Sequence, residues 1–138
     1  MHPYVKQISE IGARANPTFM TLGIEPVSWG NESAVLKMNI TERLHNGSGF
    51  LKGGFYVILA DEAIALAVLA ELSENEGTTT ITETTEFIRG VKEGEIYASA
   101  KIIRKGRRVI FAEAEVREGG LEGKLLSKTT ASYLITAA

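Results

Sequence analysis

The spacing of apolar and polar positions changes period several times along the chain, and each change marks an element. Over residues 4–15, Val5, Ile8, Ile11 and Ala15 recur at helical spacing, and Asn16-Pro17 ends the run. This predicts a short amphipathic helix. Phe19 to Ile24 reads as an apolar connector. Beyond the turn signal Gly30-Asn31, Ala34, Leu36, Met38 and Ile40 alternate with Val35, Lys37 and Asn39, the pattern of a half-buried strand. Residues 45–54 (HNGSGFLKGG) are glycine-rich and are expected to be irregular.

Residues 55–72 (FYVILADEAIALAVLAEL) are apolar almost all round, interrupted by Asp61, Glu62 and Glu71. Such a helix either spans a membrane or is wrapped by protein. A span needs about 20 apolar residues, and two adjacent acids at its midpoint are costly in lipid. Wrapping by protein is therefore expected, because strand-like segments flank the helix on both sides. Residues 78–88 are rich in threonine and β-branched side chains. Residues 95–103 put Ile96, Ala98, Ala100 and Ile102 on one face, and residues 109–117 put Ile110, Ala112, Ala114 and Val116 on one face. Residues 124–136 alternate less cleanly but bury Leu125, Ala131, Tyr133 and Ile135. Glycine and charge clusters at 90–94, 105–107 and 118–120 supply the turns. The plan is a strand block, one long buried helix and a meander of antiparallel strands. A single curved sheet around one apolar helix satisfies it, an α+β architecture.

Composition narrows the function. A length of 138 residues suits one domain over 1–138 with a real core. A net charge of −2 lacks the basic footprint that non-specific nucleic-acid binding needs. There is no cysteine, which removes disulfides, thiolate catalysis and cysteine-based zinc sites. His2 and His45 are the only histidines, and His2 is expected to sit at a frayed end. A His-rich metal site or a Ser-His-Asp triad is not expected. The first residues lack the apolar stretch of a signal peptide, so a cytoplasmic location is the default.

Sixteen glutamates stand against one aspartate, and that aspartate is Asp61. Mid-helix, aspartate is a poorer helix former than glutamate. In this apolar segment an unpaired carboxylate is also expensive. A residue that breaks local rules points to function, although a paired structural acid at the helix edge explains it as well. Glu62 is the neighbouring candidate, but one residue turns about 100° around a helix, so the two acids cannot face one pocket. Gly53-Gly54 precede the helix, where free N–H groups and partial positive charge suit an oxyanion hole, or simply a loop. Gly53 and Asp61 lie eight residues apart, about 12 Å of helix rise. One carbonyl cannot touch both, so a reaction using both needs an oligomer with shared sites. The cluster Arg104, Lys105, Gly106, Arg107, Arg108 suits phosphate contacts, or is a solvated basic hairpin.

The order of Asn46, Gly49, Gly53-Gly54, Leu59-Ala60-Asp61-Glu62-Ala63, Phe87-Ile88-Arg89 and the basic cluster leading into Ala112–Val116 resembles the PaaI-type thioesterases of the HotDog superfamily. The resemblance runs from about residue 19 to 135. It implies a curved antiparallel sheet wrapped around one central helix, and hydrolysis of acyl-CoA thioesters. By position it implies Asn46 in the loop, Gly53 (with Gly54 next) as the backbone donor to the thioester oxygen, and Asp61 of the partner subunit as the carboxylate that orients or activates water or attacks directly. It places the assisting hydroxyl at Thr79, with Thr78 and Thr80 close by. Arg89 and the basic cluster would take the nucleotide end of coenzyme A. Lys52 departs from the pattern, for the family carries histidine six residues after the asparagine. A protonated lysine is a flexible point charge with no acceptor.

The expected chemistry is thus attack of water, held by Asp61 and Thr79, on an acyl-CoA thioester, in a homodimer or homotetramer, with no metal and no cofactor beyond the coenzyme A of the substrate. The alternative is an acyl-CoA binding or sensing protein without catalysis, which Lys52 favours. A dehydratase is disfavoured because no histidine follows residue 45.

Overall fold

The computed structural model describes residues 1–137. One six-stranded antiparallel sheet, in the order β1-β2-β4-β5-β6-β3, curves around a 17-residue helix. The strands are β1 (Ile24–Gly30), β2 (Ser33–Asn39), β3 (Glu76–Phe87), β4 (Glu95–Lys105), β5 (Val109–Glu118) and β6 (Leu125–Ala137). The long helix is α3 (Gly53–Leu69), preceded by α1 (Pro3–Ile11) and α2 (Pro17–Leu22). No helix among the described residues is long and apolar enough to cross a membrane.

The alternation read in β4 and β5 is the inner face of the sheet. Ile96, Ala98 and Ala100 of β4 and Ile110, Ala112, Ala114 and Val116 of β5 are all buried. The strand register sets Ala98 beside Leu36, Ala100 beside Ala34 and Ala114, and Ala112 beside Ala131. This floor of alanines lets α3 settle close to the sheet. Leu59, Ala60, Ala63, Ile64, Leu66 and Val68 of the helix are fully buried over it. Each large aliphatic side chain so buried contributes about 1.5–3 kcal/mol relative to exposure.

Four features differ from the sequence expectation. Phe19–Ile24 is not a plain connector. Pro17–Leu22 forms α2, capped by Asn16 Oδ1, which accepts from the N–H groups of Thr18 and Phe19. Gly23 then turns the chain at φ 73°, and Ile24–Gly30 forms an edge strand, β1. Pro26 is tolerated there because β1 has no neighbour on its outer side and the register shifts between Pro26 and Ser28. Second, only β4, β5 and β6 form a meander; β3 crosses to the far edge and pairs with β6. Third, α3 begins at Gly53, so the glycine pair opens the helix. An added Cβ on Gly53 would come within 3.2 Å of the Phe87 ring. Fourth, His2 is not frayed. Its Nδ1 accepts from the Tyr4 N–H, which leaves Nε2 to donate to the Glu76 carbonyl at 3.0 Å.

Candidate active site

Asp61 lies mid-way along α3 on the flank that faces β6 and β3. The Tyr133 hydroxyl donates to its Oδ1 at 2.8 Å. Tyr133 is buried on the inner face of β6, and cross-strand pairing sets Thr80 of β3 opposite it. Between Thr80 and Thr82 the register shifts, so Ile81 is an extra residue and the phase of β3 flips. Glu83 therefore pairs with Ala131 and joins Thr80 on the inner face, near enough to Asp61 for the two carboxyl groups to interact.

The electrostatics follow from that crowding. Burial first, then the hydrogen bond and charge of Asp61, push the Glu83 carboxyl from 4.5 up to about 8. Burial, followed by the Asp61 charge, raises the Tyr133 phenol well above its usual range, so it stays a hydrogen-bond donor. At neutral pH the group is a phenol and two carboxyl groups close together, one of which retains a proton.

Glu62 points the other way. Its Oε2 accepts from Asn16 Nδ2 at 2.7 Å, and the same nitrogen reaches the Tyr4 hydroxyl at 2.9 Å. Burial raises the Glu62 carboxyl above its usual value, opposed by the Asn16 hydrogen bond. Glu62 ties the N-terminal segment to α3.

The residues expected around the thioester carbonyl gather elsewhere. Asn46, Phe50, Gly53, Tyr56, Phe87 and Arg89 line an open cleft of about 470 Å³ at the N-terminus of α3. The Asn46 Oδ1 accepts from the N–H groups of Ser48 and Phe50 and shapes the loop. The Tyr56 hydroxyl donates to the Arg89 carbonyl and its ring meets Phe87 at 6.0 Å, which fixes the cleft wall. Gly54 is exposed beside Gly53, and Lys52 is exposed at the helix N-cap without a side-chain cap bond. Asp61 does not line this cleft.

Arg104, Lys105, Arg107 and Arg108 sit at the opposite end of α3. The Lys105 Nζ donates to the Glu71 carbonyl at 3.0 Å, and Arg104, Arg107 and Arg108 line a separate hollow of about 620 Å³. Within one chain the basic hairpin, Asp61 and Gly53 are thus three separate places. Thr79 is corrected. It pairs with Leu134, whose side chain is exposed on the outer face of the sheet, whereas Thr80 is the threonine on the Asp61 side. A further groove of about 460 Å³ crosses the outer face and is lined by the ion-paired Lys101, Glu113 and Lys128, with none of these site residues in it. No group of three or more His, Cys, Asp or Glu among the described residues is placed to hold a metal ion.

The profile of the thioesterase superfamily matches residues 48–123, more than half of the chain, including all of the cleft except Asn46, α3 and the basic hairpin. The chain belongs to this superfamily. A candidate esterase of Saccharolobus solfataricus is 27% identical to this thioesterase-superfamily chain over 137 residues, 98% of this chain and 94% of the other. The 1,4-dihydroxy-2-naphthoyl-CoA hydrolase of Listeria monocytogenes is 26% identical over 98 residues, 71% of this chain and 80% of that protein. A point mutant of the phenylacetic acid degradation protein PaaI from Thermus thermophilus shares the fold. Its TM-score is 0.78 at 24% identity, with 86% of this chain and 98% of that chain covered. The HotDog architecture holds, and membership of the thioesterase superfamily assigns the protein to thioester hydrolysis.

Sequence reasoning missed Glu83 and the polar role of Tyr133. Tyr133 was legible only as a buried position, and Glu83 was one glutamate among sixteen. The signal that would have exposed Glu83 is the bulge at Ile81, which alternation alone does not reveal.

Proposed function

We propose that this cytoplasmic protein hydrolyses acyl-CoA thioesters, with Asp61 as the base that activates water. The observation that carries the reading is the Tyr133–Asp61 bond of 2.8 Å, which aims a lone aspartate along the flank of α3 next to an unpaired sheet edge. That edge is β3, 12 residues long. Ile81 and Phe87 stand 52% and 57% exposed along it and Ile88, just past its end, 54%, a surface that invites pairing.

Two copies pairing antiparallel along β3 about a two-fold axis would set the Glu76 end of one strand against the Phe87 end of the other. This moves Gly53 of the partner subunit toward Asp61, and the basic hairpin of one chain toward the cleft of its neighbour. The three separate places then serve one substrate, with Arg104, Lys105, Arg107, Arg108 and Arg89 holding phosphates. The arrangement is a homodimer or a tetramer built from such dimers.

In the reaction the thioester oxygen accepts from the N–H at the head of the partner's α3. Asn46 Nδ2 would serve as a second donor, since Oδ1 is engaged in its own loop. Water oxygen bonds to the carbonyl carbon as Asp61 takes its proton. The carbon–sulfur bond then breaks, and the thiolate of coenzyme A takes that proton from Asp61. The products are a free acid and coenzyme A, and no metal or further cofactor is used. Thr80 replaces Thr79 as the strand hydroxyl beside this step. The Listeria relative, a hydrolase of an aromatic acyl-CoA, supports a CoA thioester as substrate.

Lys52 favours a second reading, binding of acyl-CoA without cleavage, because an exposed cation stands where the family's histidine shapes the site. A thiol-release assay over a panel of aliphatic and aromatic acyl-CoAs separates the two. Hydrolysis abolished by Asp61→Asn supports the first. Saturable binding with no thiol release from any acyl-CoA supports the second.

A further inference from the structure

The geometry points to Glu83 as a positioning residue that hydrogen-bonds Asp61 through a proton it retains and, with Tyr133, fixes the Asp61 carboxylate for attack. The inference rests on the proposed reading of Asp61 as the base. Three elements surround the pair. From α3 comes Asp61, while Glu62 turns to Asn16 on the other flank. From β6 comes Tyr133, whose hydroxyl takes one Asp61 oxygen. From β3 come Thr80 and Glu83, brought to one face by the bulge at Ile81. Neither Asp61 nor Glu83 joins an ion pair among the described residues. Two neighbouring carboxylates without a cation resist ionising together, so at neutral pH one proton stays with the pair.

The assignment of that proton follows from the partners. Asp61 Oδ1 already accepts the Tyr133 O–H. Glu83 has burial and a neighbouring anion against ionisation and holds its proton to about pH 8. Glu83 is then the acid that donates and Asp61 the carboxylate that accepts. With one donor on each side, the carboxylate is held against rotation. The Glu83 proton is not consumed: the proton from water passes to Asp61 and on to the departing thiolate, and Glu83 ends each turnover as it began. Above about pH 8 Glu83 becomes an anion, the donor is lost and the two carboxylates repel.

The sole aspartate of the chain makes the test direct. In protein made with γ-13C aspartate in a cell-free system, the Asp61 carboxyl is the only labelled side-chain carboxyl. Its resonance is expected to move as Glu83 ionises near pH 8, and Glu83→Gln is expected to erase that movement. A wild-type resonance that does not move through that range overturns the proposal, whatever the activity. In kinetics, wild-type kcat is expected to fall as pH rises through about 8. Glu83→Gln, which keeps an N–H donor but cannot ionise, should remain active and lose that limb. Glu83→Leu should lower kcat about tenfold or more with KM nearly unchanged, part of what a well-positioned base contributes. A Glu83→Gln profile superimposable on the wild type, with Asp61→Asn inactive, sinks the role of Glu83 and leaves the reading of Asp61 standing. Full activity in Asp61→Asn sinks the reading of Asp61 instead, and the resonance then still reports whether the pair shares a proton.

Discussion

Asp61 and Glu62 are neighbours in sequence, and the two flanks of α3 that carry them are built for different ends. The Glu62 flank is closed over by the N-terminal segment, and its carboxylate ends on an asparagine that also caps α2 and reaches Tyr4. The Asp61 flank meets β6 and the free edge of β3, and its carboxylate ends on a phenol and a second acid. Both carboxyl groups lose water on folding. One is stabilised by a neutral donor in a fixed latch. The other is left beside a phenol and an acid that holds its proton. The chemical difference between adjacent acids is set by what packs on each side of the helix, through about 100° of rotation.

The comparison breaks most sharply by exchanging the acids one at a time. Asp61→Asn keeps an acceptor for Tyr133 but no base, and turnover should fall about 10²–10⁴-fold with little change in melting temperature. Glu62→Gln should leave turnover near wild type in the same thiol-release assay. Comparable losses from both would erase the distinction between the flanks. Asn16→Ala sharpens it from the other side. It removes the α2 cap and the donor to Glu62, so stability should drop by about 1–3 kcal/mol in denaturant unfolding while kcat per folded molecule is kept.

A smaller effect is expected in the pH dependence of stability. Glu83 binds its proton more tightly folded than unfolded, with its value raised from 4.5 to about 8. Its contribution is therefore complete below about pH 4.5, declines as pH rises through that window, and is gone above about 8. Melting temperature followed from acid to alkaline pH should fall less steeply in Glu83→Gln than in wild type. The least effect belongs to the outer face, where Lys101 pairs with Glu113 at 3.4 Å with most of the lysine in solvent. Lys101→Ala should cost about 0–0.5 kcal/mol and leave activity alone.

Much of this was legible in the sequence because it obeys simple periods. The alternation in Ile96–Ile102 and Ile110–Val116 became the inner face of β4 and β5, and the greasy run around Asp61 became α3. Asp61 stood out because its residue type and its surroundings disagree. What escaped reading breaks period or acts over long range. Ile24–Gly30 carries Pro26 and a register shift, so β1 has no clean alternation. Thr79, Ile81 and Glu83 share a face on an ideal strand, and one bulged residue instead puts Thr80 and Glu83 together. Tyr133 is 72 residues from Asp61, and no local pattern joins them.

The alanine floor beneath α3 makes the depth of the whole assembly a design variable. Ala98, Ala100, Ala112 and Ala114 touch no reacting group, yet their size decides how far the rod carrying Asp61 stands above the strands carrying Tyr133 and Glu83. An enlarged side chain under the middle of the rod acts as a shim. It would lengthen a 2.8 Å contact that tolerates only tenths of an ångström. Tuning of this protein is thus available from positions buried beneath the helix, without altering any group that meets the substrate.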